Sequence, residues 1–148
     1  HFGHPLSRAD VDADPATSAK ELASLTGAII LLKSSTTLCS YLHHDQGNRT
    51  QEIFSIPQET PWAGVAGSGD VLAGTVAGIT AGFQARAERR QGNPSISEAE
   101  CASLASLGAW VHAQAAFRAS VSSEGHAHPI QAIDIARALP EIIGGLCS

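Results

Sequence analysis

Asp14-Pro15 opens the first periodic stretch of the chain, an N-cap residue followed by proline at the first helical position. Ala19, Leu22, Ala23 and Thr26 then recur at helical spacing, and Gly27 supplies a stop, so a helix is expected over 15–26. Ala28 to Lys33 is a short continuous apolar run rich in branched residues. That pattern suits a strand buried on both faces, as in a parallel sheet. A helix feeding such a strand is one half of a β-α-β unit. Thr36 to His43 predicts a second strand, His44 to Thr50 a turn, and Gln51 to Ile56 a third strand returning as a hairpin.

Pro57 to Val65 predicts a loop, followed by a glycine-rich run from Gly64 to Gly69 and a long helix from Asp70 to about Ala87. Leu72, Val76, Ile79 and Phe83 form its apolar stripe. Gly74, Gly78 and Gly82 recur every fourth residue on another face. Each costs roughly 1 kcal/mol relative to Ala, which implies that another backbone or a ligand comes close; helix packing alone accounts for the spacing and is the favoured reading. Gln91 to Pro94 breaks the chain, and Ser97-Glu98-Ala99-Glu100 carries a capping-box signature for a helix reaching about Ser120. Leu104, Leu107, Val111 and Ala115 are expected to face its core, thickened by Trp110 and Phe117. After a loop from Val121 to Pro129, a last helix is expected over Ile130 to Ile143, with Ile133, Ala136, Leu139 and Ile143 on one side and Pro140 bending or interrupting it.

Composition narrows the class. With 148 residues, 43% hydrophobic and 16% charged, the chain reads as one folded domain. It has 4 Phe, 2 Trp and 1 Tyr, so Ala, Val, Ile and Leu must build most of the core. A net charge of -5 gives no electrostatic reason to expect a nucleic-acid partner, and Arg86, Arg89 and Arg90 read as a solvated helix end. Cys39, Cys101 and Cys147 suggest neither a disulfide framework nor a zinc site, and a cytoplasmic setting is expected. No secretory segment opens the chain, and the run from Val71 to Phe83 is too short to span a bilayer. The chain contains no Met, so a processed product or fragment is expected, with His1 to Pro5 as a ragged end.

The candidate chemistry lies in Ala66-Gly67-Ser68-Gly69-Asp70-Val71-Leu72-Ala73-Gly74. Glycines before a helix let several N–H groups converge, and the helix adds its positive end, so the turn can hold an anion. A carboxylate at its edge, Asp70, can accept a proton from a substrate hydroxyl while the cradle stabilises a transferring phosphoryl group. A plain N-cap beside a tight turn would use the same residues. The segment has no Gly-Lys-Ser/Thr and no Gly-x-Gly-x-x-Gly, which excludes a Walker A loop and a dinucleotide fingerprint. His126-Ala127-His128 lacks a third ligand at a recognised spacing, His43-His44 reads as a solvated pair, and His112 as a packed or surface residue. Ser68 lacks the Gly-x-Ser-x-Gly elbow of a nucleophile.

Gly67-Ser68-Gly69-Asp70-Val71-Leu72-Ala73-Gly74 closely resembles the signature of the ADP- or ATP-dependent NAD(P)H-hydrate dehydratases, a branch of the ribokinase-like superfamily. Ile29 to Lys33, Lys33 to Thr37, Leu107 to His112 and Ala136 to Pro140 resemble further family segments in order. The resemblance implies an α/β fold, ribokinase-like, with a mainly parallel central sheet flanked by helices. It implies a C-terminal portion of that domain, since the family's His-Pro-Gly-Glu segment has no counterpart here; His4-Pro5 is followed by Leu6-Ser7. The implied activity is nucleotide-driven dehydration of the S form of NAD(P)H hydrate, through phosphorylation of its C6 hydroxyl and loss of phosphate. Asp70 would contact that hydroxyl as base. Gly67, Ser68 and Gly69 would form the anion hole. Lys33, Ser34, Ser35, Thr36, Thr37 and Gly69 would bind ADP or ATP, with Mg2+ bridging the phosphates. Ser34 stands where the family usually has Gly. A homo-oligomer such as a tetramer, and no membrane partner, complete the expectation. A small-molecule kinase of the same superfamily and a silent nucleotide-binding remnant are the alternatives.

Overall fold

The computed structural model describes residues 7–45, 47–92 and 95–146. His4-Pro5, Asn93-Pro94 and Cys147 lie outside the described residues. The chain divides into two compact units, residues 1–56 with 96–106, and residues 57–95 with 107–148.

The first unit opens with a short helix that the apolar pattern does not announce, α1 (Arg8–Ala13). Its signal is polar: Ser7 and Asp10 close a reciprocal capping box. Helix α2 (Pro15–Thr26) has the expected bounds. Asp14 caps it through the Thr17 N–H at 3.0 Å, and Gly27 ends it at φ 67°, a left-handed conformation that glycine adopts without strain. Ser18, Ala19 and Ala23 are the residues it buries.

Three strands follow, β1 (Ile30–Leu32), β2 (Thr36–Asp45) and β3 (Asn48–Pro57), in the order β1-β2-β3. Here the expectation of a mainly parallel sheet fails. β1 pairs antiparallel with β2, Ile30 opposite Ser40 and Leu32 opposite Leu38. The reason is connection length. Only Lys33–Ser35 separates the two strands, whereas a parallel crossover needs roughly a dozen residues. The β2–β3 link is shorter still, with Gly47 at φ 86°, so the hairpin forms as expected but with a tighter turn and longer strands. Strand β1 is half-buried rather than enclosed on both faces. The fold class is therefore mixed α/β with a small antiparallel sheet.

The second unit is helical. A 3-10 turn at Pro61–Ala63 leads into α3 (Ser68–Gln91). Helix α4 (Glu98–Ala119) starts at the Ser97/Glu100 box as expected, and its later turns belong to this unit. Helix α5 (Ala132–Leu146) runs on through Pro140 without interruption. Ala63, Ala115, Ala116, Ile130 and Ile135 form the core cluster, with Val71 and Leu139 packed against it. The expected face of α4 holds at Leu104, Val111 and Ala115, which are buried, and fails at its other large residues. Leu107, Trp110 and Phe117 are each more than a third exposed, while Ala109, Val111, His112, Ala113 and Ala115 are buried. On α5, Ile133 is half exposed and Ile135 is fully buried. Small residues on α4 let its backbone approach its neighbours, and the large side chains are left to the rim. The expected close approach at Gly74, Gly78 and Gly82 is also absent, since a Cβ at any of them would meet nothing within 4 Å. Those glycines line an open apolar groove of about 540 Å³ between α3 and α5, with Ile79, Leu139 and Ile143 among its walls. The tight contact is at Gly108 instead, where a Cβ would lie 2.7 Å from Val76 Cγ2 and 3.1 Å from Val76 Cα.

Candidate active site

The glycine turn is built from the core outward. Thr60 caps the 3-10 turn through the Trp62 N–H, and the Ser120 hydroxyl donates to Thr60 Oγ1 at 3.2 Å. This seats Ala63 in the core cluster with its carbonyl turned toward the start of α3. The Ser68 hydroxyl donates to that carbonyl at 2.7 Å and is buried. Gly67 is the N-cap of α3 at φ 83°, and a Cβ there would also meet Ala132 Cβ at 3.2 Å. Conformation and space together demand glycine.

His112 holds the turn from behind. Its ring is fully buried, and Nε2 lies 3.0 Å from the Ser68 carbonyl oxygen. A carbonyl only accepts, so Nε2 carries the proton and donates. In a trans peptide the carbonyl and the following N–H point in opposite directions. Anchoring the Ser68 carbonyl inward therefore aims the Gly69 N–H out of the helix end. The Ser68 N–H is used by the Val65 carbonyl, and those of Asp70 and Val71 by the Gly67 carbonyl. The N–H groups of Gly67 and Gly69 have no acceptor among the described residues. Ser68 thus faces the core with its hydroxyl, and the two flanking glycines face outward with their amides.

Asp70 is in the first turn of α3 rather than at its N-cap, and it is exposed. Its carboxylate makes no cap bond and has no hydrogen-bond partner among the described residues. The helix therefore does not consume this group, which can reach a ligand while lying in the positive field of 24 residues of helix.

Lys33 to Thr37 belongs to the first unit. Ser34 and Ser35 are exposed in the turn between β1 and β2, and the Ser34 hydroxyl donates to the Thr36 carbonyl at 2.6 Å. Thr36 opens β2 half-buried, and Thr37 is fully buried. Lys33 is half-buried, and burial pulls the pKa of its ammonium down. A dehydrated cation gains more from an anionic ligand than a solvated one. Lys33, Ser34 and Ser35 line a cleft of about 220 Å³ with Val11, Asp12, Pro15 and Leu32. Reading the sequence had overlooked the wall contributed by α1, whose only sequence signal was the Ser7-x-x-Asp10 cap.

His126 and His128 lie in the loop before α5, where His128 Nδ1 bonds the Pro129 carbonyl. No cluster of three or more His, Cys, Asp or Glu side chains able to hold a metal ion occurs among the described residues. No described helix is long and apolar enough to cross a membrane.

The model of the NAD(P)H-hydrate dehydratase family matches residues 5–140. The match covers most of the chain, and the chain belongs to that family. No curated protein and no solved structure matches it.

Proposed function

We propose that this chain carries the nucleotide turn and the base of an ADP- or ATP-dependent repair reaction that returns S-NAD(P)H hydrate to NAD(P)H. The carrying observation is the exposed, uncommitted Asp70 carboxylate beside the outward N–H groups of Gly67 and Gly69. Asp70 accepts the proton of the substrate's C6 hydroxyl. That oxygen bonds to the terminal phosphorus of the nucleotide, whose bond to the remaining phosphate chain breaks. The two amides and the α3 dipole hold the charge on the transferring group. Cleavage of the C6–O bond then expels phosphate, and loss of the adjacent ring proton restores the double bond. Lys33 and the Ser34–Ser35 hydroxyls hold the nucleotide phosphates.

A Mg2+ ion would be carried on the nucleotide phosphates, where it would neutralise their charge. A ribokinase-like frame and a cytoplasmic setting belong to the same reading. A homo-oligomer, the association implied by the resemblance, would cover the large apolar side chains exposed on the second unit.

The test is the dihydronicotinamide absorbance gained when S-NADPH hydrate, magnesium and ADP or ATP are mixed with the protein. This chain and the longer polypeptide implied by the resemblance are assayed side by side. Asp70→Asn is expected to lower kcat by about 10²–10⁴-fold. A stable phosphorylated product without NADPH would favour the small-molecule kinase. No signal from the longer polypeptide with either nucleotide would sink the reading.

A further inference from the structure

His112 is not the residue that stability would put at its position. Among the described residues it is the only polar side chain that α4 buries, and it lies between Val111 and Ala113, which are buried too. An imidazole in such surroundings loses its hydration, and one neutral hydrogen bond restores only part of that loss. A leucine would fill the space without it. The ring spends its Nε2 proton on one backbone group, the Ser68 carbonyl, 3.0 Å away.

That carbonyl and the Gly69 N–H share one rigid peptide plane, so tilting one tilts the other. Gly69 has no side chain to hold the plane, and nothing lies within 4 Å of the place its Cβ would take. The first turn of a helix is also where fraying begins. The preceding peptide plane is held separately. The Ser68 N–H donates to the Val65 carbonyl at 3.2 Å, and the Ser68 hydroxyl to the Ala63 carbonyl at 2.7 Å. Beyond the helix's own bonding, the Ser68–Gly69 plane is restrained by His112. The reach of the ring depends on Gly108, one turn earlier on the same face of α4. There a methyl would sit 2.7 Å from Val76 Cγ2, so its absence lets α4 close on α3 and brings His112 to Ser68.

We infer that His112 is a positioning residue for the phosphoryl transfer: through the Ser68–Gly69 peptide it aims the Gly69 amide at the transferring group. This rests on the reaction proposed above for Gly67, Gly69 and Asp70. It extends the site to a buried ring 44 residues beyond the turn, and it accounts for a hydrogen-bond donor where packing alone calls for an apolar side chain.

The experiment pairs two substitutions of similar volume. His112→Leu removes the donor, and His112→Gln keeps one, its amide nitrogen standing in for Nε2. Turnover is measured in whichever of this chain and the longer polypeptide forms NADPH from the hydrate. A misaimed amide loses part of the roughly 10²–10³-fold that one such donor contributes, so His112→Leu should lower kcat by about 10–100-fold while KM for the nucleotide moves less than about threefold. His112→Gln should recover most of that loss. The second readout needs no turnover. In the amide NMR spectrum of this chain, inorganic phosphate should shift the Gly69 resonance of wild type and His112→Gln, and leave it unmoved in His112→Leu. Circular dichroism and thermal melts establish that each variant is folded. A role in packing alone would lower the melting temperature and leave both kcat per folded molecule and the Gly69 response intact; that result overturns the inference while the repair reading stands. Equal loss of kcat in the two variants, or a wild-type Gly69 resonance that phosphate does not move, overturns it as well. If neither polypeptide forms NADPH, the repair reading falls, and the phosphate titration alone decides whether His112 aims the amide.

Discussion

The two units build their interiors in opposite ways. The first buries its tyrosine, and among its described large apolar side chains leaves only Leu25 and Phe54 more than a third exposed. Its buried Ser40 hydroxyl donates to the Glu52 carbonyl at 3.2 Å. The second unit buries alanines and leaves Trp62, Phe83, Leu107, Trp110, Phe117, Ile133, Ile143 and Leu146 more than a third exposed. A strand presents alternate side chains to a core, so a large residue is either in or out. Small-residue helices meet backbone to backbone, so most of their cohesion passes through a few points of contact. The glycine turn and Asp70 rest on those few points.

The largest expected effect tests that concentration on a single helix. Ile135→Ala removes a fully buried side chain from the five-residue core cluster and should destabilise the protein by about 2–5 kcal/mol. Ile133→Ala, two residues earlier and 50% exposed, should stay within roughly 0.5 kcal/mol. Urea unfolding of the two variants measures the difference. Equal midpoints would mean that the helical unit has no focal core, and the contrast with the sheet unit would disappear.

Sequence pattern was legible where a local rule settled the matter. Asp14-Pro15 and Gly27 gave both ends of α2, and the Ser97/Glu100 box gave the start of α4, because caps depend on four or five neighbouring residues. The pattern misled where tertiary context decides. An apolar Ile-Leu-Leu run is the same in a parallel and an antiparallel strand, and only the three-residue link to β2 separates the two. On α4 and α5 the apolar residues are so dense that several stripes are possible; Leu107 and Ile133 belong to the stripe that packing did not choose. At the site, the glycine turn and the exposed Asp70 could be read from Gly67-Ser68-Gly69-Asp70. The inward turn of Ser68 and the His112 anchor could not, because the partners are 5 and 44 residues away. The wall that α1 gives the Lys33 cleft was equally hidden, since nothing local ties the two.

An intermediate effect separates two kinds of glycine in the helical unit. Gly108→Ala forces a methyl against the Cα and the stiff β-branched side chain of Val76, so overpacking of about 1–3 kcal/mol should outweigh the helical gain. Gly78→Ala meets nothing within 4 Å and should raise stability by up to about 1 kcal/mol. Thermal melts should therefore move in opposite directions. A loss at Gly78 as large as at Gly108 would show that the groove between α3 and α5 is closed in solution.

The smallest effect at neutral pH lies in the sheet unit and tests its side of the contrast. Tyr41, 3% exposed on β2, donates its hydroxyl to Glu52 Oε2 at 2.7 Å and stacks on Phe54 with ring centres 6.0 Å apart. Burial first, then the hydrogen bond and negative charge of Glu52, push its pKa from 10.0 up to about 12. The folded state therefore keeps a proton that the unfolded chain releases. The stability linked to this proton is whole below pH 10 and is lost as pH rises through about 12. Tyr41 is the chain's one tyrosine, so tyrosinate absorbance reports it alone. The folded chain should titrate near pH 12, or unfold cooperatively on the way there. Glu52→Gln keeps an acceptor but removes the charge. Its midpoint should fall toward the ordinary value without reaching it, because burial is the larger cause. A wild-type midpoint at the ordinary value would mean that water reaches the hydroxyl, and the sheet unit would then be no better closed than the helical one.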